Sequence, residues 1–114
     1  LNRKDFDLAI GGWTADYPDA TTYLDLWKTG SGYNFTNWEN LSYDQALVAA
    51  AAEPNPTTRL AILRTAEGIL MQHMPIIPIV FEKDTLLIHP SMTNFTPNAM
   101  DRPDYSTVTL KAQP

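Results

Sequence analysis

The sequence is 114 residues long, with 44% hydrophobic and 18% charged residues, proportions typical of a globular protein with one core or part of one. Its formal net charge is -5, and its 8 basic residues are scattered along the chain, which argues against nucleic acid as a partner. Cysteine is absent, which excludes disulfides and thiolate metal sites. His73 and His89 lack ligand spacing with any carboxylate pair, so neither a metal nor another cofactor is expected.

Membrane and targeting signals are not visible in the sequence. No stretch approaches the roughly 18 consecutive apolar residues of a spanning helix, and residues 1–5 lack the apolar centre of a signal peptide. We therefore expect a soluble chain. Its compartment has to come from another argument, because a signal would be lost together with any upstream sequence.

Two elements are predicted before the first long loop. Apolar residues alternate with polar or small ones over residues 5–11, the period of a half-buried strand, and Gly11-Gly12 ends the pattern. A short helix is predicted from Asp19, a candidate N-cap, to Trp27, with Gly30 near its C-terminal end.

A second helix is predicted after a loop over residues 29–40. It begins near Ser42, because Ser42-Tyr43-Asp44-Gln45 has the form of a capping box. It continues through a run of alanines to about Ala52. Its low apolar content predicts shallow burial.

The third helix carries the clearest pattern in the sequence. Asn55 is a candidate N-cap, and Pro56 occupies the first helical position. Apolar residues then recur every three or four positions, at Leu60, Leu63, Ala66, Leu70 and Met74. The helix should end near His73, because Pro75 disfavours helical geometry at the residue before it.

The last third of the chain predicts strands and a proline-rich tail. Residues 76–81 form an apolar run that contains Pro78 and is typical of a strand near a sheet edge. Residues 85–89 form a second strand candidate, and residues 107–110 a third within the tail that starts at Pro90. The order strand, helices, strands indicates a mixed α and β fold.

Five segments carry a resemblance to a known family. They are residues 7–20, with the form strand then Gly-Trp-x-Ala-Asp-Tyr, and residues 33–40, 43–44, 59–70 and 74–79. In this order and spacing the sequence resembles the oligopeptide- and dipeptide-binding proteins of ABC importers, extracellular solute-binding protein family 5. The resemblance covers nearly the whole chain and places it in the C-terminal portion of the family.

The resemblance implies an architecture and a biological setting. The chain would be a mixed α/β, C-terminal fragment of a two-lobed, periplasmic-binding-protein type II-like fold. Residues 1–90 would belong to a ligand-binding lobe, and residues 91–114 would form a tail returning towards the other lobe. It also implies a bacterial protein, periplasmic or extracellular and membrane-anchored, that is not an enzyme and whose partners are a peptide ligand and the membrane permease of an ABC importer.

The resemblance also implies a ligand site. Asp16 occupies the position whose carboxylate receives the N-terminal ammonium of the peptide, a charge-assisted hydrogen bond suited to a closed cleft. Gly12, Trp13 and Thr14 would offer backbone groups to an extended ligand. From the residues alone, Asp16 also fits a turn, and Trp13 also fits a core position.

Asn34 and Trp38 complete the predicted ligand-binding residues. They lie in a loop that resembles a segment lining the ligand cleft of the family. Packing of Trp38 under the following helix is an equally good interpretation.

The sequence is also compatible with other functions. Family members also bind nickel complexes, haem or oligosaccharides, and these ligands need no carboxylate at Asp16. Three tryptophans and several aspartates are also the materials of a small carbohydrate-binding or glycosidase domain, and a third alternative is a protein-interaction module without a ligand. The isolated fragment is expected to self-associate, because strand edges cut from a larger lobe pair with one another.

Overall fold

The computed structural model describes residues 5–83, 85–98, 100 and 102–111. Over these residues the chain has three α-helices, one 3-10 turn and one two-stranded sheet. They are α1 (Thr21–Leu24), the 3-10 turn Asp25–Trp27, α2 (Leu41–Ala52), α3 (Pro56–His73), β1 (Met92–Thr93) and β2 (Thr109–Leu110). The mixed α and β composition predicted from the sequence is confirmed.

Helix α2 begins at a different cap from the predicted one. Asn40 is the N-cap, and its side chain accepts a hydrogen bond from the backbone N–H of Tyr43 at 3.0 Å. The predicted capping box at Ser42 is wrong, because Ser42 already lies inside the first turn. The extended backbone of Asn40 places its amide oxygen over the free N–H groups of that turn.

Helix α3 has the predicted bounds. The side chain of Asn55 accepts hydrogen bonds from the backbone N–H groups of Thr57 and Thr58, and Pro56 is the first helical residue. Met74 ends the helix in the left-handed region, with φ 50°, and its N–H donates to the carbonyl of Leu70 at 2.9 Å. The C-terminal end thus has its hydrogen bonds satisfied before Pro75.

The core lies where α1, α2 and α3 meet. Helices α2 and α3 are joined by three residues and pack against each other, as a short connection favours. The cluster of buried side chains consists of Leu24, Tyr43, Leu47, Ala50, Leu63, Ala66 and Leu70. From the predicted stripe of α3, the central residues are buried, whereas Leu60 and Met74 at its ends are exposed.

The strand predictions are confirmed only in the tail. Thr109 and Leu110 pair antiparallel with Met92 and Thr93, within the predicted strand over residues 107–110. The predicted strands over residues 5–11, 76–81 and 85–89 are wrong for the described chain, since none of these segments has a strand assignment. A strand needs a neighbouring strand for its N–H and C=O groups. Within the described residues these segments have no such neighbour, and His89 accepts from the N–H of Met92 only in a turn.

These segments leave the molecule open and apolar at its surface. The radius of gyration is 19.0 Å, against about 13 Å for a compact domain of this length. Several large apolar side chains there are more than two-thirds exposed, namely Leu8, Ile10, Ile79, Val80, Phe81 and Leu87. Apolar surface of this extent is typical of a face that contacts other structure.

The isolated chain is therefore expected to form dimers or larger aggregates. Exposed strand-like segments with free backbone groups pair with copies of themselves, and burial of their apolar side chains drives the association. Light scattering over a concentration series checks this expectation. A monodisperse monomer at high concentration would contradict it.

Candidate functional site

Asp16 lies in a short loop that ends in α1. Its backbone N–H donates to the side-chain oxygen of Thr22 at 2.9 Å, and Thr22 is only 4% exposed. The Asp16 side chain itself is 50% exposed. The main chain of Asp16 is thus held by a hydrogen bond to a buried side chain, while its carboxylate is accessible at the surface.

Asp19 ties this loop to α3. Its two carboxylate oxygens accept hydrogen bonds from the Arg59 guanidinium at 2.7 and 2.9 Å, a bidentate pair. One of them also accepts from the N–H and the hydroxyl of Thr21. The cap position of α1 is Ala20, one residue after the predicted cap, but Asp19 does satisfy an N–H group at the start of that helix.

The pKa of the Asp19 carboxyl is held well below its usual range. The main cause is the hydrogen bonding from Arg59, followed by that from Thr21. A lowered pKa stabilises the folded chain at any pH above the unfolded value of about 4. That contribution is lost as the pH falls through the lower folded value.

The substitution Asp19→Asn is expected to destabilise the chain at neutral pH, because it removes the charge that pairs with Arg59. The cost should be only about 1 kcal/mol, since water reaches the ion pair and screens it. It should also reduce the loss of stability below about pH 4, since this carboxyl no longer titrates. Urea denaturation at several pH values measures both effects.

The matched control for this measurement is Asp25→Asn. Asp25 forms an exposed pair with Lys28 at 3.6 Å, and such pairs often contribute nothing measurable. An equal effect of both substitutions at neutral pH would show that the Asp19–Arg59 pair has no special role in the fold.

Tyr43 fixes the other end of α1. Its hydroxyl donates to the backbone carbonyl of Leu24 at 2.6 Å, and its side chain is fully buried. Burial, together with the nearby Asp25 and Asp44 carboxylates, raises the pKa of this hydroxyl well above its usual value, so the hydroxyl remains a donor. Helix α1 is therefore attached to α2 at one end and, through Asp19, to α3 at the other.

Arg102 in the tail approaches the Asp16 carboxylate. Its guanidinium lies 3.7 Å from one carboxylate oxygen, and both side chains are at least half exposed. Asn98 holds the turn that carries Arg102, since its side chain bonds both the N–H and the carbonyl of Arg102. The tail thus places one cation beside the carboxylate predicted to bind an ammonium.

The segment before Asp16 is open. Trp13 packs edge-on against Tyr33, with ring centroids 4.8 Å apart, and Thr14 is exposed. A side chain added at Gly11 or Gly12 would meet no atom within 4 Å, and neither glycine has a positive φ. Neither packing nor backbone conformation within the described residues therefore requires glycine at these positions.

Asn34 and Trp38 have contacts inside the loop between the 3-10 turn and α2. Asn34 is buried, and its side-chain NH₂ bonds three carbonyls, those of Trp27, Lys28 and Trp38. Its amide oxygen accepts from Thr36, so its hydrogen-bonding groups are occupied within the loop.

Trp38 packs on the helices that follow this loop. Its ring meets Tyr43 with centroids 5.0 Å apart and His73 with centroids 5.8 Å apart. Through Trp13 and Tyr33, the structure brings the Asp16 segment beside the loop that contains both predicted residues. The contacts of Asn34 and Trp38 therefore stabilise the conformation of that loop.

No family model matches the chain. Curated proteins and a solved structure do match it, and these matches agree with one another. The oligopeptide-binding protein OppA of Bacillus subtilis is 35% identical over 86 residues, which are 75% of this chain and 16% of that protein. Other relatives are named dipeptide-binding proteins. The solved structure of the pheromone receptor PrgZ, described with its mode of peptide binding, matches with a TM-score of 0.73 and 27% identity, over 97% of this chain and 21% of that one.

The chain belongs to the oligopeptide- and dipeptide-binding protein family. The family resemblance inferred from the sequence is confirmed, and the fold is that of a segment of a peptide-binding protein. The chain spans only about a sixth to a fifth of the length of its relatives. One family member, the probable deoxycholate-binding periplasmic protein YgiS of Escherichia coli, is 35% identical over 91 residues, 80% of this chain and 17% of that protein.

The described part of the chain contains no group of three or more His, Cys, Asp or Glu side chains arranged to hold a metal ion. None of its helices combines the length and apolar character needed to cross a membrane.

Three residues that contact Asp16 or Asp19, namely Thr22, Arg59 and Arg102, are missing from the site residues predicted from the sequence. Thr22 and Arg102 give no signal, because their partners are fixed only by the fold. Arg59 does give one: it lies in the first turn of α3, where no acidic residue offsets its charge. Cations are disfavoured at a helix N-terminus, so Arg59 in that turn indicates a specific partner elsewhere.

Proposed function

We propose that this chain is part of the solute-binding component of a peptide ABC importer. It holds an extended peptide through the peptide backbone and its N-terminal ammonium. The observation that carries the proposal is the Asp16 carboxylate, half exposed at the end of an open segment, in a chain whose relatives are named for binding peptides.

The chemistry of Asp16 suits an ammonium ligand. Its main chain is anchored through Thr22, so the carboxylate can receive a cation without a rearrangement of the loop. A hydrogen bond between two charged groups is about twice as strong as a neutral one, and closure of a second lobe would strengthen it by excluding water. The further ligand-contact residues that we propose are Gly12, Trp13 and Thr14.

The segment over residues 5–15 suits a ligand backbone. None of its N–H or C=O groups takes part in a backbone–backbone hydrogen bond within the described chain. Gly11 and Gly12 leave the space beside the main chain open. An extended peptide can add to such a segment as a strand, which recognises the main chain and tolerates varied side chains.

The same proposal covers the other predicted residues and the division of the chain. Asn34 and Trp38 shape the ligand cleft. Residues 1–90 belong to a ligand-binding lobe, and residues 91–114 form a tail that returns towards the other lobe. Several relatives are named periplasmic, which supports a location outside the cytoplasm. We propose that the protein is either periplasmic or extracellular and membrane-anchored. A membrane permease is the expected partner, and transport without catalysis is the expected activity.

A non-peptide solute is the second candidate. It is favoured by YgiS, whose name gives deoxycholate as ligand and whose identity to this chain equals that of OppA. Deoxycholate carries a carboxylate, which Asp16 would repel unless Arg102 took it. The charge at the centre of the site therefore favours a ligand that presents a cation.

The test is calorimetric titration of the full-length protein with three ligands. They are a mixture of dialanine to pentaalanine, the same mixture N-acetylated, and deoxycholate. We expect the free peptides to bind and the acetylated peptides to lose most of the affinity, because acetylation removes the charge that Asp16 receives. Binding of deoxycholate alone, or equal affinity for free and acetylated peptides, would overturn the ammonium anchor.

The substitution Arg102→Gln is expected to raise the affinity for free peptides by up to about fivefold. An exposed ion pair contributes up to about 1 kcal/mol, and the incoming ammonium competes with Arg102 for Asp16. Titration with free and acetylated mixtures measures the change, with Arg64→Gln as the control, since Arg64 is an exposed arginine on α3. A fall in affinity for both mixtures would instead show that Arg102 itself contacts the ligand.

A further inference from the structure

We infer that Thr22 is a positioning residue of the ligand site, and that its hydroxyl sets the place of the Asp16 carboxylate. The inference rests on the proposed function, since it concerns the residue that would receive the ammonium. It adds a group that does not touch the ligand and that acts through the main chain of Asp16.

The contact itself is specific. The Thr22 side-chain oxygen accepts a hydrogen bond from the backbone N–H of Asp16 at 2.9 Å, and the two residues are six positions apart in the chain. Thr22 is 4% exposed, so water does not readily replace this bond. Loss of the hydroxyl would leave the Asp16 N–H without its partner, and the loop would no longer have a single closed form.

The hydroxyl is held still by the helix that carries it. Helix α1 has only four residues, which is too few for a helix to be stable by itself. Its N-terminal end is attached to α3 through Asp19 and Arg59, and its last carbonyl to the buried hydroxyl of Tyr43 on α2. These two attachments transmit the rigidity of the helix pair to Thr22, and through Thr22 to Asp16.

Burial alone does not require a hydroxyl at this position. Valine has the same branched shape as threonine and a similar helix propensity, and it would fill a buried position on α1 at no cost in packing volume. The side-chain hydrogen bond in which Thr22 takes part leads to Asp16. The polar atom is thus accounted for by the loop that presents the ligand anchor.

The test compares Thr22→Val, which removes the hydroxyl, with Thr22→Ser, which keeps it. Both variants and the wild-type full-length protein are titrated with the dialanine to pentaalanine mixture, free and N-acetylated. The quantity measured is the ratio of the two affinities. In Thr22→Val we expect this ratio to fall about fivefold, the equivalent of one net hydrogen bond, and in Thr22→Ser to stay at the wild-type value.

The ratio separates positioning from general damage to the fold. A variant that only loosens the lobe loses affinity for both mixtures alike, which leaves the ratio unchanged and overturns the inference. An equal fall of the ratio in Thr22→Ser also overturns it, because the hydroxyl is still present. A wild-type protein that does not distinguish the two mixtures refutes the proposed function, and the role of Thr22 with it.

Hydrogen exchange decides the matter if Thr22→Val does not fold. The Asp16 amide is expected to be protected in the wild-type and Thr22→Ser proteins, because its N–H is bonded to a buried oxygen. Free exchange of this amide at the rate of the exposed segment before it would overturn the inference.

Discussion

Asp16→Asn is expected to remove most of the affinity of the full-length protein for peptides with a free N-terminus. The neutral amide keeps the shape of the side chain but leaves the ligand ammonium without a counter-charge inside the closed cleft. Removing one partner of such a pair costs about 2 to 5 kcal/mol, which corresponds to a loss of about thirtyfold to several thousandfold. Calorimetric titration with the dialanine to pentaalanine mixture measures it.

Two controls make the Asp16 result specific. N-acetylated peptides should bind wild type and Asp16→Asn with similar affinity, since they present no ammonium. Glu67→Gln removes one negative charge from an exposed position on α3, outside the proposed ligand-contact residues, and should leave binding of free peptides unchanged. If Asp16→Asn weakens the acetylated peptides as much as the free ones, Asp16 supports the loop and is not the anchor.

Leu63→Ala is expected to destabilise the chain by about 2 to 5 kcal/mol. Leu63 lies in the centre of α3, is 3% exposed and belongs to the cluster shared by α1, α2 and α3. Truncation removes buried apolar surface and leaves a cavity that the surrounding side chains only partly fill. Urea denaturation followed by tryptophan fluorescence measures the change, because Trp27 and Trp38 pack against this cluster.

The matched control is Leu60→Ala, one turn earlier on the same helix. Leu60 is 47% exposed, so its truncation should cost about 1 kcal/mol or less, in proportion to the smaller buried area. Equal effects of the two substitutions would mean that the side chains of α3 are not divided into a buried and an exposed set as the structure has them. The free energy of unfolding would then not depend on the shared cluster.

The sequence by itself determined the helical part of the fold and the family. Caps, prolines and an apolar repeat are local signals, so Asn55, Pro56 and Pro75 gave the bounds of α3 without reference to any other segment. The predicted N-cap of α2, Ser42, lies two residues after the observed one, Asn40. Both residues have side chains that can cap a helix, and only the backbone geometry selects Asn40. The family followed from motifs whose order is also a property of the chain alone.

The strands depended on what the sequence cannot specify alone. Alternation over residues 5–11 and the apolar run over residues 76–81 indicate side chains that prefer burial, but a ladder also needs a second backbone at hydrogen-bonding distance. Within the described chain only residues 92–93 and 109–110 are paired as strands. The other segments have strand-like sequences but no partner strand among the described residues.

The tertiary structure alone placed the residues around Asp16. Thr22 is six residues away along the chain and Arg102 more than eighty, and Arg59 acts forty residues from Asp19. Pairing over such separations is decided by the packing of α1 on α2 and α3 and by the course of the tail. The sequence therefore identified the carboxylate predicted to bind the ligand, and the fold supplied the groups that hold it in place, because hydrogen bonds between distant residues exist only once the helices have packed.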